Sequence, residues 1–68
     1  MKIDLGKENG GYHAAVAGRK SLVAFGYTKV EALEELISVV EAELQDLAEI
    51  DKIEKKIREL LAKLERDD

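Results

Sequence analysis

The sequence predicts an α+β fold: a three-stranded antiparallel meander packed on an amphipathic helix (β-β-β-α), followed by a C-terminal helix or a helix extension. As far as Gly26, apolar residues alternate along short segments, as they do in half-buried strands. Thr28 followed by Glu31 is the pattern of a helix start. Beyond Thr28 the apolar residues recur at steps of three and four, and neither Gly nor Pro occurs. Strands are therefore expected first and helices second.

The first 26 residues are expected to form the three strands. The first predicted strand has Ile3 and Leu5 on one side and is followed by a turn over 7–11. A corner over 18–20 and a third strand over 21–25 come after the second strand. In that second strand the residues of one side alternate with those of the other: Tyr12, Ala14 and Val16 with His13, Ala15 and Ala17. Asn and Gly supply the backbone freedom that such corners need. Small residues at Ala14, Ala15, Ala17 and Ala24 should let a helix lie close against one face of the sheet.

Thr28 is expected to cap the first helix. Its hydroxyl would accept a hydrogen bond from the N–H of Glu31, and the Glu31 carboxylate would accept one from the N–H of Thr28. The two bonds would satisfy donors that a helix start leaves unpaired. Replacing Thr28 by alanine should cost about 1 kcal/mol.

The apolar residues after the cap form two stripes that point roughly 140° apart around an ideal helix. One straight helix cannot bury both stripes on one surface. Asp51 with Glu54 repeats the capping pattern, which favours a kink or a new helix near 49–51. The alternative is one long helix whose ends pack against different bodies. The first stripe consists of Val30, Leu33, Leu36, Ile37, Val40, Leu44 and Leu47.

The chain is expected to divide into residues 1–48, the β-β-β-α unit, and residues 49–68, a charged helix that serves oligomerisation. A 68-residue chain buries only about 60% of the surface that its unfolded form exposes. It has no cysteine and one histidine, so disulfides and Cys or His metal clusters cannot add stability. A homo-oligomer, dimer or tetramer, is therefore expected, although the second stripe could instead fold back on its own sheet or first helix. This stripe consists of Ile50, Ile53, Ile57, Leu60, Leu61 and Leu64.

Charge and hydropathy exclude several classes of function. The formal net charge is −4 with the signs interspersed, which argues against direct binding of nucleic acid. No apolar run approaches the ~20 residues that cross a bilayer, and residues 1–4 do not resemble a signal peptide. We expect no membrane association and a cytoplasmic location.

No catalytic centre, metal site or cofactor is expected, and the chain is not predicted to be an enzyme. Histidine is the side-chain type with an unperturbed pKa near neutrality, but the pattern places the single one, His13, on a strand surface without an evident partner. Asp4 with Glu31 or Glu34 could form a carboxylate pair, yet Glu31 is already explained as a cap. A hydrolase that acts through Asp4, Glu31 or His13 is a third hypothesis, which metal-dependent cleavage of RNA by the purified chain would support. Arg19 and Lys20 make a small basic tip whose charges are more often simply solvated.

The segment from 11 to 33 resembles the HicB-like antitoxin family. Members carry a Gly-Tyr-x-Ala-x-Val strand and then Gly-x-Thr-x-x-Glu-Ala-Leu at the helix start. This chain matches the two pieces without a gap at Gly11, Tyr12, Ala14, Val16, Gly26, Thr28, Glu31, Ala32 and Leu33. The resemblance covers about a third of the chain and implies a truncated RNase H-like fold and a non-enzymatic module that neutralises a small RNA-cleaving toxin.

The chain departs from the family in two places. Residues 17–22 replace a Pro-rich loop. Many members also use a ribbon-helix-helix or helix-turn-helix module on DNA, and the charged helix after Asp51 is not expected to supply either, so DNA binding is not implied. If a toxin binds, the contact set is expected at the second corner and the exposed sheet face: Tyr12, His13, Gly18, Arg19, Lys20, Ser21 and Phe25. The alternative is a stand-alone structural homo-oligomer of the same fold without a toxin.

Overall fold

A computed structural model describes residues 2–66 and confirms the α+β arrangement. Its elements are β1 (Ile3–Glu8), β2 (Gly11–Val16), β3 (Val23–Gly26), α1 (Lys29–Glu43) and α2 (Leu47–Arg66). The strands form an antiparallel sheet in the order β1-β2-β3, with α1 packed on one face. Met1 is the first residue of the predicted unit 1–48, and Asp67 and Asp68 are the last residues of the predicted unit 49–68. These three residues lie outside the described residues.

The face of the sheet toward α1 carries the apolar members of the alternation. Ile3 pairs with Val16 and Leu5 pairs with Ala14, so these side chains share one face. Ala14 is fully buried, as is Ala32 on α1, which shows that small residues do allow a close approach of helix and sheet. They do so only on this side. Ala15 and Ala17 have the opposite parity, so the prediction that they also make room for the helix is wrong.

The turns are shorter or shifted relative to the prediction. Lys7 pairs with Tyr12 and Glu8 pairs with Gly11, so the first turn consists of Asn9 and Gly10 rather than residues 7–11. Gly10 has φ +76°, a conformation that favours glycine.

The third strand begins two residues later than expected. Ser21 belongs to the turn that precedes the strand. In this turn the N–H of Leu22 donates a hydrogen bond to the carbonyl of Arg19 at 3.1 Å. Leu22 is nonetheless fully buried. An apolar residue therefore enters the core just before the strand, which is why the apolar pattern made β3 look longer than it is.

Half of the predicted capping box forms at Thr28. The N–H of Glu31 donates to Thr28 Oγ1 at 3.0 Å, and Thr28 has extended φ and ψ angles, as an N-cap requires. The reciprocal bond to the Glu31 carboxylate is not made among the described residues, so that part of the prediction is wrong. Below the cap, α1 buries Ala32, Leu33, Leu36 and Val40.

A new helix follows, as favoured by the sequence, but it begins at Leu47. Asp46 Oδ1 accepts the N–H groups of Ala48 at 3.0 Å and Glu49 at 3.4 Å, so Asp46 caps α2. Asp51 lies inside α2, and the prediction that it starts the helix is wrong. Asp46 and Glu49 have the same spacing as Asp51 and Glu54, so two capping patterns lie five residues apart in this stretch of the chain.

The second stripe folds back onto α1, which was one of the two alternatives. Ile53 and Ile57 are buried in the same core as Leu36 and Val40. The other members, Ile50, Leu60, Leu61 and Leu64, are partly buried against that core. Arg19 Nη2 lies 2.6 Å from Glu49 Oε2 and so links the second corner of the sheet to the first turn of α2. Neither helix is both long and apolar enough to cross a bilayer.

Candidate interface on the uncovered sheet face

One face of the sheet is not covered by a helix. The register places Gly6, His13 and Phe25 in one row on this side, with Ala15 and Val23 in the next. We call this surface the outer face; it also includes Asp4 and Glu8, which have the same parity on β1. Phe25 is 60% exposed and Val23 is 36% exposed. Large apolar side chains in solvent on a sheet face are typical of an interaction surface.

His13 is held in place at the centre of the outer face. Its ring lies on Gly6, where an added Cβ would be 2.7 Å from His13 Cε1. His13 Nδ1 is 3.1 Å from Glu8 Oε1, an ion pair whenever the imidazole is protonated, although the geometry is not that of a hydrogen bond. Glu8 was not predicted as a partner of His13 because the first turn was expected to include it. The two-residue turn extends β1 to Glu8 and places it diagonally from His13.

The side chains of His13 and Glu8 are both partly open to solvent. A histidine that acts as a general base also needs a reacting group within hydrogen-bond reach, and the residue placed beside His13 here is the Glu8 carboxylate. Among residues 2–66 no group of three or more His, Asp or Glu side chains could hold a metal ion. The described side chains of the outer face are thus exposed apolar groups beside carboxylates.

A depression of about 270 Å³ opens where the outer face meets the β1–β2 turn. Gly11 lies between Glu8 and Tyr27 and carries no side chain, so it leaves a gap in this row. A Cβ on Gly11 would be 2.5 Å from the carbonyl oxygen of Gly26, so the strands can approach only with glycine there. We call this depression the hairpin pocket; it is lined by Glu8, Asn9, Gly10, Gly11, Tyr12, Phe25, Gly26 and Tyr27. Tyr27, which is 82% exposed, was not among the predicted contact residues.

The motif residues shared with the HicB-like pattern have structural roles. A Cβ on Gly26 would be 2.5 Å from the backbone nitrogen of Ala32, so only glycine lets β3 run directly under the first turn of α1. Thr28 caps that turn and Leu33 is fully buried. Tyr12 is partly buried against the core, and the Lys29 Nζ lies 5.8 Å from its ring centroid.

The predicted contact residues fall into two groups at opposite ends of the sheet. His13 and Phe25 are cross-strand neighbours on the outer face. Tyr12 has the opposite parity and faces the α1 side, but it also lines the hairpin pocket. Gly18, Arg19, Lys20 and Ser21 form the far corner, where all four are exposed. Arg19 is paired with Glu49, so this end is less basic than its sequence suggests.

A pair of carboxyl groups lies between the two helices. The pKa of Glu41 on α1 is raised, first because its carboxyl can share a hydrogen bond with Glu54 on α2 and also because the two negative charges repel. Arg58 opposes this shift and lies 3.4 Å from Glu54 Oε1. Glu54 Oε2 is buried without another hydrogen-bond partner, so a proton on Glu41 would satisfy it.

Comparisons with known proteins leave the family open. No family model matches the chain, and neither a curated protein nor a solved structure is significantly similar to it. The HicB-like resemblance therefore stays a prediction that depends on the motif residues and on the fold.

Proposed function

We propose that the chain is a non-enzymatic protein-binding module that contacts its partner through the outer face. Following the HicB-like resemblance, the partner would be a small RNA-cleaving toxin, which the module neutralises in the cytoplasm. The observation that carries the proposal is an uncovered sheet face on which Val23, Phe25 and Tyr27 are exposed side by side. A small domain gains stability by burying such residues, so leaving them in solvent favours a role in binding.

The outer face could neutralise a toxin by occupying the surface where RNA binds. Aromatic side chains contribute most of the energy in many protein interfaces, and Phe25 is a large exposed apolar side chain in the middle row of this face, on its edge strand β3. Asp4 and Glu8 add negative charge on the same side. A protein that binds RNA needs a basic surface, so an acidic module would be complementary to it.

A second candidate is a stand-alone homo-oligomer. The observation that favours it is the partly buried apolar edge of α2, formed by Ile50, Leu60, Leu61 and Leu64, together with Leu47, which is 79% exposed. Light scattering separates the two candidates: a stable dimer or tetramer of the purified chain, with no partner protein bound, favours this reading.

Coexpression with the products of the neighbouring genes tests the toxin proposal. We expect one toxin-sized product to copurify and to lose its RNA-cleaving activity in the complex. Phe25→Ala should weaken that complex about tenfold or more, as removal of a central aromatic contact typically does.

Leu47→Ala is the matched control, because it removes an exposed apolar side chain from the first residue of α2 rather than from the sheet. Its complex should keep the wild-type affinity. Absence of a stable complex with either neighbour, or equal losses in the two variants, would contradict the proposal.

A further inference from the structure

We infer that the partner binds as an extended segment along the open edge of β3 and places an arginine or lysine side chain in the hairpin pocket. The inference rests on the proposed function, since it states the chemistry of the partner that the outer face accepts. It depends on three features: the main-chain groups of β3, the residues that line the pocket and the charge of the chain.

The main-chain groups at the β3 edge are available for pairing. The N–H of Val16 donates to the carbonyl of Leu22 at 2.9 Å, which fixes the hydrogen-bonding parity between β2 and β3. Residues 22, 24 and 26 therefore direct their N–H and C=O groups toward β2, and Val23 and Phe25 direct theirs away from it. In the described sheet no strand lies beyond β3. An added strand could therefore form a backbone ladder at Val23 and Phe25, the mode known as β-augmentation.

The hairpin pocket has the chemistry of a site for a cationic side chain. Three of its lining residues are aromatic, Tyr12, Phe25 and Tyr27, and one, Glu8, is acidic. A cation gains energy over an aromatic face and beside a carboxylate, and a planar guanidinium can use both at once. No Lys or Arg lines the pocket. Its volume of about 270 Å³ is below that of typical pockets for drug-sized ligands and suits one long side chain.

The acidic residue of this pocket is placed by the sheet. Glu8 lies on β1 rather than in a loop, and its Oε1 is 3.1 Å from His13 Nδ1. The net charge of −4 also favours the approach of a basic partner over an acidic one.

The experiment uses two short peptides and the whole chain. The probe is an acetylated and amidated Thr-Val-Arg-Val-Thr peptide; its comparison replaces arginine by citrulline, which has nearly the same shape without the charge. Backbone amide shifts of ¹⁵N-labelled protein report binding residue by residue. We expect shifts confined to Glu8, Gly11 and residues 23–27, and an affinity about threefold or more higher for the arginine peptide.

Two variants assign the effect to the pocket. Glu8→Gln and Tyr27→Ala alter exposed side chains and should leave the amide spectrum folded. Each should reduce the preference for arginine over citrulline, and Glu8→Gln should nearly abolish it. Asp4→Asn is the control, since it neutralises an outer-face carboxylate that does not line the pocket. Its preference for the arginine peptide should match that of the wild-type chain.

Equal binding of the two peptides, or shifts located away from β3, would overturn the inference. The outcome is separable from that of the toxin experiment. A chain that prefers the arginine peptide but binds no neighbouring gene product keeps the pocket assignment and loses the toxin. A chain that binds the gene product with no change in Glu8→Gln or Tyr27→Ala loses the pocket assignment.

Discussion

Replacement of Ile57 by alanine tests whether α2 belongs to the core of its own chain. Ile57 is fully buried and lies in one cluster with Leu36 and Val40 of α1. The substitution removes three buried carbons, at about 0.8 kcal/mol each, which gives about 2.4 kcal/mol before the cost of the cavity. A chain of this length has a free energy of unfolding of only about 3–10 kcal/mol. Ile57→Ala should therefore remove a large part of the total stability.

Urea unfolding followed by circular dichroism measures the effect. Leu47→Ala is the control: it is another truncation on α2, but of a side chain that is 79% exposed, and should change the free energy of unfolding by no more than about 0.5 kcal/mol. The midpoint should not depend on protein concentration if α2 packs within one chain. Point variants are sharper than deletion of 49–68, because the deletion would remove Ile53 and Ile57 from the core together.

Two results would refute the reasoning. Similar losses for Ile57→Ala and Leu47→Ala would show that Ile57 is not a core residue. A midpoint that rises with protein concentration in the wild-type chain, and no longer does so in Ile57→Ala, would show that this side chain packs against a second copy. In that case the whole second stripe, and not only its partly buried edge, would form the contact between copies in the homo-oligomer.

Three further predictions follow from local contacts. Asp46→Ala should lower the free energy of unfolding by about 1 kcal/mol and Asp51→Ala by less than about 0.5 kcal/mol; urea titration giving the reverse order would contradict the cap position. Gly26→Ala should cost about 1–3 kcal/mol in the same assay because its Cβ would be 2.5 Å from a backbone nitrogen of α1, and an unchanged midpoint would contradict that contact. Because the pKa of Glu41 is raised above its ordinary 4.5, the stability from its shared proton with Glu54 is present below that value and lost as the pH rises through the folded-state pKa. Glu41→Gln, whose amide can donate at any pH, should thus raise the melting temperature near about pH 7 but not near about pH 3; equal shifts at both would exclude the pair.

The periodicity of the apolar residues was sufficient to predict the type and order of the strands and helices. Alternation predicts a strand because side chains on a strand change sides at every residue, and Ile3, Ala14 and Val16 do lie together in the core. The Thr28 cap was predictable because it depends on residues three apart in sequence. Both patterns depend only on residues close together in the sequence and not on what packs against the element. They therefore predict the order of strands and helices, but not those boundaries that packing decides.

The boundary between the helices was decided by packing. Two capping patterns compete, at Asp46 and at Asp51, and local chemistry does not rank them. A start at Leu47 gives α2 a full turn before Ile53 and lets Ile53 and Ile57 reach the core beside α1. The cost is that Leu47, placed by periodicity on the first stripe, lies in solvent. The choice belongs to the tertiary structure, which the pattern alone does not contain.

The candidate site was partly hidden for a related reason. Whether Glu8 lies beside His13 depends on the length of the first turn, and one more turn residue on each side would remove the contact. Phe25 was predicted because it belongs to a strand with a clear alternation. Tyr27 was missed because it follows the strand, and its place beside Gly11 appears only when the register of β2 and β3 is known.

The motif residues and the proposed contact residues of this chain overlap only partly, with Tyr12 in both sets. Gly11, Gly26 and Thr28 are needed for strand approach, for the strand-to-helix corner and for the helix cap. Changing them should act on folding, whatever the partner. Phe25 and Tyr27 lie outside the shared motif and are exposed, so changing them should act on binding while the fold persists. A resemblance based on the motif therefore supports the fold, and the identity of the partner must be sought in the side chains of the outer face.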